Sequence, residues 1–334
     1  MTGTLAAIFG CAGTVLTASE IAFFRESDPF GFILFARNVE DPVQLRRLTG
    51  ALREAVGREA PVLIDQEGGR VQRLRPPHWR DWAPPLDTVA QARDPVRAMW
   101  IRSRLIAHEL RGVGVDANCA PCADVAGPDT HPFLKNRCYG TDPAVVSSIS
   151  AAVAAGHLAG GVLPVIKHLP GHGRATADTH HDLPTVSASR ADLSAVDFAP
   201  FRALNHLPMA MTAHIIFAAY DDRPATQSEV MIRAIREEIG FQGLLMTDDL
   251  NMQALRGSLA ERTAASMAAG CDIALHCKGD LDEMQAVAGA CGAQTPLIRQ
   301  RAMAALGARQ APEPVDILAL DAEFRALMSG VDDG

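Results

Sequence analysis

Three stretches of the chain carry residue types at spacings able to do chemistry. The first is Val165-Ile-Lys167-His168-Leu-Pro170-Gly171-His172-Gly173, continuing to Asp178-Thr179-His180-His181-Asp182-Leu183-Pro184. An apolar run from Gly161 to Ile166 has the pattern of a short buried strand, and it ends in a cation, an imidazole and a Gly-rich turn. A strand that delivers polar groups from its C-terminal end into such a loop suggests a site rather than a core. In the loop, Asp178 stands two residues before His180. A carboxylate that accepts a hydrogen bond from one imidazole nitrogen fixes the tautomer and favours the protonated ring. His180 can then give its proton to a leaving oxygen and later take one from water.

The second stretch is Gly240-Phe241-Gln242-Gly243-Leu-Leu-Met246-Thr247-Asp248-Asp249-Leu250, a buried strand releasing an aspartate at its end. A carboxylate held there beside cations has its pKa lowered and stays ionised. Such a group serves as a nucleophile toward an electrophilic carbon, or as a metal ligand. The third stretch, Asp65-Gln66-Glu67-Gly68-Gly69-Arg70-Val71-Gln72-Arg73, again follows an apolar run, and Asn136-Arg137 adds a cation in a long loop. Blander alternatives exist for each: a turn-forming carboxylate for Asp65, surface or helix-capping charge for Arg73 and Arg137, and inert histidines in a solvated loop.

These groups need a scaffold, and the chain alternates strand and helix. Candidate strands are Leu5–Phe9, Gly31–Phe35, Pro61–Asp65, Val115–Ala117, Val162–His168, Met209–His214, Gly243–Asp248 and Asp272–His276. Most are continuous apolar runs, as expected of parallel strands covered on both faces. Asp41-Pro42, Asp94-Pro95 and Asp142-Pro143 each place an N-cap acceptor before a proline at the first helical position. After the first of these, Leu45, Leu48, Leu52 and Val56 recur at helical spacing, and Ser258-Leu-Ala-Glu261 is a capping-box pattern. Eight such units predict an α/β fold, a single (β/α)8 TIM barrel forming one catalytic domain over 1–334, with a short C-terminal helical extension from about residue 292. A doubly wound open sheet is the runner-up, disfavoured because no G-x-G-x-x-G follows a strand. In a barrel, the C-terminal strand ends form one rim, which would gather Asp65, Lys167, His168, His214 and Asp248.

Composition narrows the partners. With 48% hydrophobic and 21% charged residues, the 334-residue chain has material for a sizeable core. A net charge of −8, without a basic stripe, argues against nucleic acid, and the 5% aromatic content argues against a stacking platform. No window of about 18 apolar residues occurs, so no membrane span is expected. Seven cysteines, an odd number without an export signal, point to a reducing, cytoplasmic compartment. Cys119-Ala-Pro-Cys122 lacks a second C-x-x-C; zinc is one reading, two buried thiols the favoured one.

Taken together, Lys167-His168-Leu-Pro-Gly-His-Gly, Asp178-Thr-His180 followed by Pro184, and Gly-Phe-Gln-Gly-Leu-Leu-Met-Thr-Asp248-Asp249-Leu-Asn-Met resemble glycoside hydrolase family 3. More narrowly they are similar to the bacterial single-domain β-N-acetylhexosaminidases of peptidoglycan recycling, the NagZ type. The resemblance runs from Gly31-Phe-Ile-Leu-Phe-Ala-Arg-Asn38 to Met252. It implies a retaining mechanism with Asp248 as nucleophile and His180 as acid/base, with Asp178 as the partner of His180. It further implies that Asp65, Arg73, Arg137, Lys167 and His168 hold sugar hydroxyls and the N-acetyl group, with no cofactor and no metal. The implied substrate is a terminal β-linked N-acetylglucosamine on anhydro-muropeptide fragments, acted on by a monomer. This departs from the usual pair of carboxylates. The family often has Phe where Leu169 stands and Ser where Thr179 and Thr247 stand, swaps that keep size or hydroxyl character. His181 adjoins the acid/base position, and register against Pro184 favours His180.

Two other functions stay open from sequence. A metal-dependent barrel hydrolase would use His168, His172, His180, His181 and Asp248 as ligands, although no H-x-H follows the first strand. A sugar-binding protein that kept the barrel and lost turnover is the other.

Overall fold

Along each strand the side chains alternate between two hydrophobic clusters, and that alternation builds the molecule. The computed structural model describes residues 3–175 and 183–329. Eight strands, β1 (Leu5–Phe9), β2 (Pro29–Leu34), β3 (Val62–Ile64), β4 (Ala117–Asn118), β5 (Leu163–Leu169), β6 (Met209–Thr212), β7 (Leu244–Asp249) and β8 (Ile273–His276), close into a barrel. Neighbours in sequence are neighbours in space, every pairing is parallel, and β8 closes on β1 through Ala7↔Ala274 and Phe9↔His276. The predicted strands are found, with ends shifted by one or two residues.

Residues of one parity fill the barrel interior: Ala6, Ile8, Ile33, Leu63, Ala117, Leu163, Val165, Met209, Met211, Leu244, Met246, Ile273 and Leu275. Their neighbours Ala7, Phe9, Val62, Ile64, Ile166 and Leu245 point outward into two clusters beneath the helices. This is the period-2 geometry of a strand applied eight times. Both parities are apolar because both faces are covered, which is why the strands appear in the sequence as unbroken runs.

Helices follow the strands, and their starts obey the capping chemistry expected of them. Asp41 accepts from Val43 N–H and Gln44 N–H ahead of Pro42–Val56, Asp94 accepts from Arg97 N–H ahead of Pro95–Arg111, and Asp142 accepts from Ala144 N–H ahead of Pro143–Ala159. Ser258 and Glu261 form the capping box of Leu259–Ala269. Leu45, Leu48 and Leu52 are buried, as their spacing requires. Past the eighth unit come two further helices. Pro296–Gly307 sends Ala302 and Ala305 up against the barrel-lining cluster, stopping its N-terminal mouth. Ile317–Met328 lies against Pro95–Arg111. Among the described residues no helix is long and apolar enough to cross a membrane.

Candidate active site

The interior parity, continued one step past the apolar layers, delivers the site. After Leu63 the next inward position is Asp65; after Leu163 and Val165 it is Lys167; after Leu244 and Met246 it is Asp248; after Ile33 it is Phe35. All four line one cavity of about 340 Å³ at the C-terminal rim, floored by Ile33, Met211 and Leu275. Arg73, Arg137, His168 and His172 complete its polar wall. Six sequence-predicted residues, Asp65, Arg73, Arg137, Lys167, His168 and Asp248, are therefore gathered in one place. Asp178 and His180, with the neighbouring His181, lie outside the described residues.

The polar wall is a chain of alternating charges. Arg73 Nη2 donates to Asp65 Oδ2 at 3.0 Å, and Lys167 Nζ bridges Asp65 Oδ1 at 2.9 Å and Glu67 Oε1 at 2.6 Å. Glu67 then receives Arg137 as a two-pronged fork, Nε at 2.9 Å and Nη2 at 2.8 Å. Burial alone would push both carboxyls up. Lys167 and Arg73 overcome it at Asp65, which ends well below the usual carboxylate range, and Arg137 and Lys167 hold Glu67 at about 2. Burial pulls the Lys167 ammonium down, but Asp65 and Glu67 hold it above its ordinary value. Breaking such a buried row by removing one member costs more than its pairs are worth, since it strands a charge.

Glu67 is a residue that sequence reasoning quoted without giving it a task. It sits on a small hairpin, Gln66–Gly68 with Val71–Gln72, whose backbone is held by the fully buried Arg102. Arg102 donates to the carbonyls of Glu67 at 2.8 Å and Ala83 at 2.6 Å and to the Thr88 hydroxyl at 2.6 Å. Gly68, at φ +107°, has to be glycine, because a Cβ there would collide with that guanidinium.

His168 is oriented by a second overlooked residue. Asp124 Oδ2 lies 2.7 Å from His168 Nδ1, while its Oδ1 accepts the backbone N–H groups of His168 and His172 at 3.2 and 2.7 Å. Burial pushes the Asp124 carboxyl up, but the His168 ring and these N–H donors take it well below the usual range. The arrangement fixes which face of the His168 ring meets the cavity. A lone acid within the apolar run Ala117–Ala126 was the available signal.

Asp248 stands across the cavity. Burial raises its carboxyl, the charges of His214 and His168 outweigh that, and Asp249 N–H donates to its Oδ1 at 2.8 Å, so the group stays ionised. The adjacent Asp249 is pushed the other way, to about 6, by burial and the charge of Asp248, while its Oδ1 accepts from Asn251 and Cys277 N–H. His214 closes the end of β6 beneath them, between the Thr226 hydroxyl at 2.8 Å and the Asp249 carbonyl at 3.0 Å. An ionised carboxylate facing a cavity whose opposite wall offers hydrogen-bond donors from Arg and Lys, and acceptors from Asp, suits a polyhydroxylated, neutral ligand.

Residues 26–305 match the family model described as the glycosyl hydrolase family 3 N terminal domain. The chain belongs to glycosyl hydrolase family 3. It is 39% identical over 280 residues to a beta-hexosaminidase of Alkalilimnicola ehrlichii, covering 81% of this chain and 80% of that one. It is 36% identical over 294 residues to a beta-hexosaminidase of Xylella fastidiosa, covering 84% and 87%. Its structure superimposes with a TM-score of 0.87 on NagZ from Neisseria gonorrhoeae in complex with N-trifluoroacetyl-D-glucosamine, at 28% identity, over 98% of this chain and 99% of the other. The protein is a glycoside hydrolase of the β-hexosaminidase kind, and the resemblance seen in its motifs holds.

Of the ligands of the metal-hydrolase alternative, His180 and His181 lie outside the described residues; His168, His172 and Asp248 line the cavity without forming a convergent group, and among the described residues the group that does converge is Cys122, Asp124 and His168. The C-x-x-C is likewise no chelating pair. Cys119 belongs to the barrel-lining cluster, whereas Cys122 packs outside it with Ala126, Leu134 and Cys138, and both thiols are buried.

Proposed function

We propose that the protein is a retaining β-N-acetylglucosaminidase that removes terminal β-linked N-acetylglucosamine from anhydro-muropeptides. The reading rests above all on Asp248, an ionised carboxylate facing the cavity opposite the Arg73–Asp65–Lys167–Glu67–Arg137 row. In it, Asp248 attacks the anomeric carbon and forms a glycosyl ester as the leaving oxygen departs. His180, partnered by Asp178, gives the leaving oxygen its proton. In the second half, His180 takes a proton from water, which opens the ester and frees Asp248. In this reading Asp65 and Lys167 bracket sugar hydroxyls, and Arg73, Arg137 and His168, which line the same cavity, order the remaining polar groups. An imidazole donor leaves no anion beside an incoming charged fragment, which suits a peptide-bearing muramic acid. Cell-wall recycling in the cytoplasm by a monomer goes with this reading, and the seven free, buried cysteines accord with a reducing compartment.

The deciding experiment incubates purified protein with a chromogenic N-acetylglucosaminide, then with a fluorinated analogue that forms its ester faster than it loses it. The expected result is turnover in the first case and a glycosyl adduct on Asp248 by mass spectrometry in the second. Turnover without any adduct, or an adduct on another residue, overturns the mechanism; no turnover overturns the activity. For the acid/base, His180→Ala is expected to lose about 10²–10⁴-fold on poor leaving groups and far less on activated aryl glycosides. Equal losses on both would remove His180 from that role.

A further inference from the structure

The hairpin that carries Glu67 is too short to hold itself, and its support comes from outside the barrel. Its strands of three and two residues, Gln66–Gly68 and Val71–Gln72, are joined through Gly68 and Gly69, both at positive φ. An isolated ribbon of that size is not stable in water. Its outside bonds converge on Trp82, which is buried. The Trp82 carbonyl accepts Gly69 N–H at 2.7 Å, and Trp82 N–H donates to Gln72 Oε1 at 3.1 Å. Gln72 Nε2 in turn donates to the Arg80 carbonyl at 2.7 Å. The guanidiniums of Arg80 and Arg102 lie over the Trp82 ring, 4.7 and 5.7 Å from its centre, and Arg102 is the residue that holds the Glu67 carbonyl. A further contact comes from the helix Ile317–Met328. Phe324 meets Trp82 edge to face with ring centres 5.7 Å apart, and Asp321 pairs with Arg80. This helix lies past the residues that match the family model, and none of its residues lines the cavity.

We propose that Phe324 and Asp321 are positioning residues for sugar binding: they hold Trp82 and Arg80 against the hairpin and so set where Glu67 stands between Lys167 and Arg137. The path runs from Phe324 to the Trp82 ring, from Trp82 to Arg102 and to Gly69 N–H, and from Arg102 to the Glu67 carbonyl. Removing the Phe324 ring takes away an edge-to-face partner whose value depends on its geometry, and Trp82 is then free to settle elsewhere. Removing the Asp321 charge releases Arg80, whose backbone carbonyl anchors Gln72. Asp248 belongs to β7, on the other wall, and is carried by the barrel itself. The inference rests on the reading above, in which the charged row holds non-reacting groups of the sugar. Contacts of that kind serve ground state and transition state alike, so a displaced row raises KM and spares kcat.

The test compares the full chain with Phe324→Ala combined with Asp321→Asn, using a chromogenic N-acetylglucosaminide and amide hydrogen exchange. The double variant is expected to raise KM about tenfold with kcat within about twofold of the parent. Amides of residues 66–73 are expected to exchange faster, with those of the barrel strands unchanged. Phe324→Tyr, which keeps the ring, is expected to stay near the parent. Glu323→Gln cuts only the exposed Arg97–Glu323 pair of the same helix and is expected to change neither reading. Should the double variant fail to fold, Phe324→Leu, which removes only the ring, carries the same KM test. An unchanged KM with unchanged hairpin exchange overturns the proposal. So does a fall in kcat at constant KM, or exchange that quickens equally throughout the barrel, which would make the helix a general stabiliser. Exchange is read without substrate, so a parent that turns nothing over counts against the proposed hydrolysis, while unaltered exchange in the variant counts against the positioning role.

Discussion

The barrel carries buried carboxylates at both ends, and they are spent differently. At the N-terminal end, Asp116 immediately precedes β4 and Asp272 immediately precedes β8. Asp116 Oδ1 accepts Val62 N–H from β3 at 2.8 Å, and its Oδ2 takes Arg53 at 2.9 Å and Arg309. Asp272 Oδ2 accepts Leu245 N–H from β7 at 2.9 Å and Arg236 at 2.7 Å, while its Oδ1 takes Arg301 at 2.8 Å. Each ties the start of its strand to the backbone of the preceding one and to arginines from outside the barrel. At the C-terminal end, the Asp65 and Glu67 carboxylates bond to cations rather than to strand backbone. They pair with Arg73, Lys167 and Arg137 around a shared cavity. Burial and pairing are common to both ends, so neither marks a site. What separates them is whether the charges close on the backbone or face open space that a ligand can enter.

That contrast can be broken from either end. The largest effect is expected for Asp248→Asn, with a fall in kcat of about 10⁴-fold or more and a melting temperature within a few degrees of the parent. A parallel collapse in melting temperature would show that Asp248 belongs with the structural carboxylates. Next comes Asp116→Ala, expected to cost about 3 kcal/mol in urea unfolding while leaving kcat/KM per folded molecule unchanged. A specific loss of activity there would erase the division between the ends.

Glu67→Gln falls between the two classes. It strands Arg137 and leaves Lys167 to Asp65 alone, so about 2 kcal/mol of stability and roughly tenfold or more in kcat/KM are expected to go together. Its pH dependence sharpens the point. The folded Glu67 carboxyl is held at about 2, below its unfolded value, so its contribution is present at neutral pH and is lost as pH falls toward about 2. The stability gap between parent and variant should therefore narrow from pH 5 to pH 2.5, measured by denaturant titration; a constant gap would mean that the charge is not what matters.

The smallest effect is expected at Asp249. Its folded carboxyl is raised to about 6, so the folded state holds a proton that the unfolded state has released. Stability is then lost as pH rises from about 4 through 6. Asp249→Asn keeps an acceptor for Asn251 and Cys277 N–H and is expected to gain on the order of 1 kcal/mol at pH 8 and little at pH 4. A gain equal at both pH values would contradict the burial of an unwelcome charge.

Much of this architecture was legible beforehand because its causes are local. Asp41-Pro42, Asp94-Pro95 and Asp142-Pro143 start helices through atoms three or fewer residues away, and apolar runs become strands wherever both faces are covered. The same runs hand Asp65, Lys167 and Asp248 to the rim at their ends. Glu67 and Asp124 were harder, since their partners Arg137 and His168 lie 70 and 44 positions away along the chain. Nothing in either neighbourhood distinguishes a carboxylate that orients a cation from one that caps a turn.

The sequence by itself determined the period of each element, the polar groups at the strand ends and the family they spell. Only the tertiary structure decided which carboxylate holds which cation, that Cys122 meets Cys138 rather than Cys119, and which end of the barrel stays open. Strand parity is set by backbone geometry within a few bonds. Pairing across a barrel rim is set by closure, which brings together strands from opposite ends of the chain.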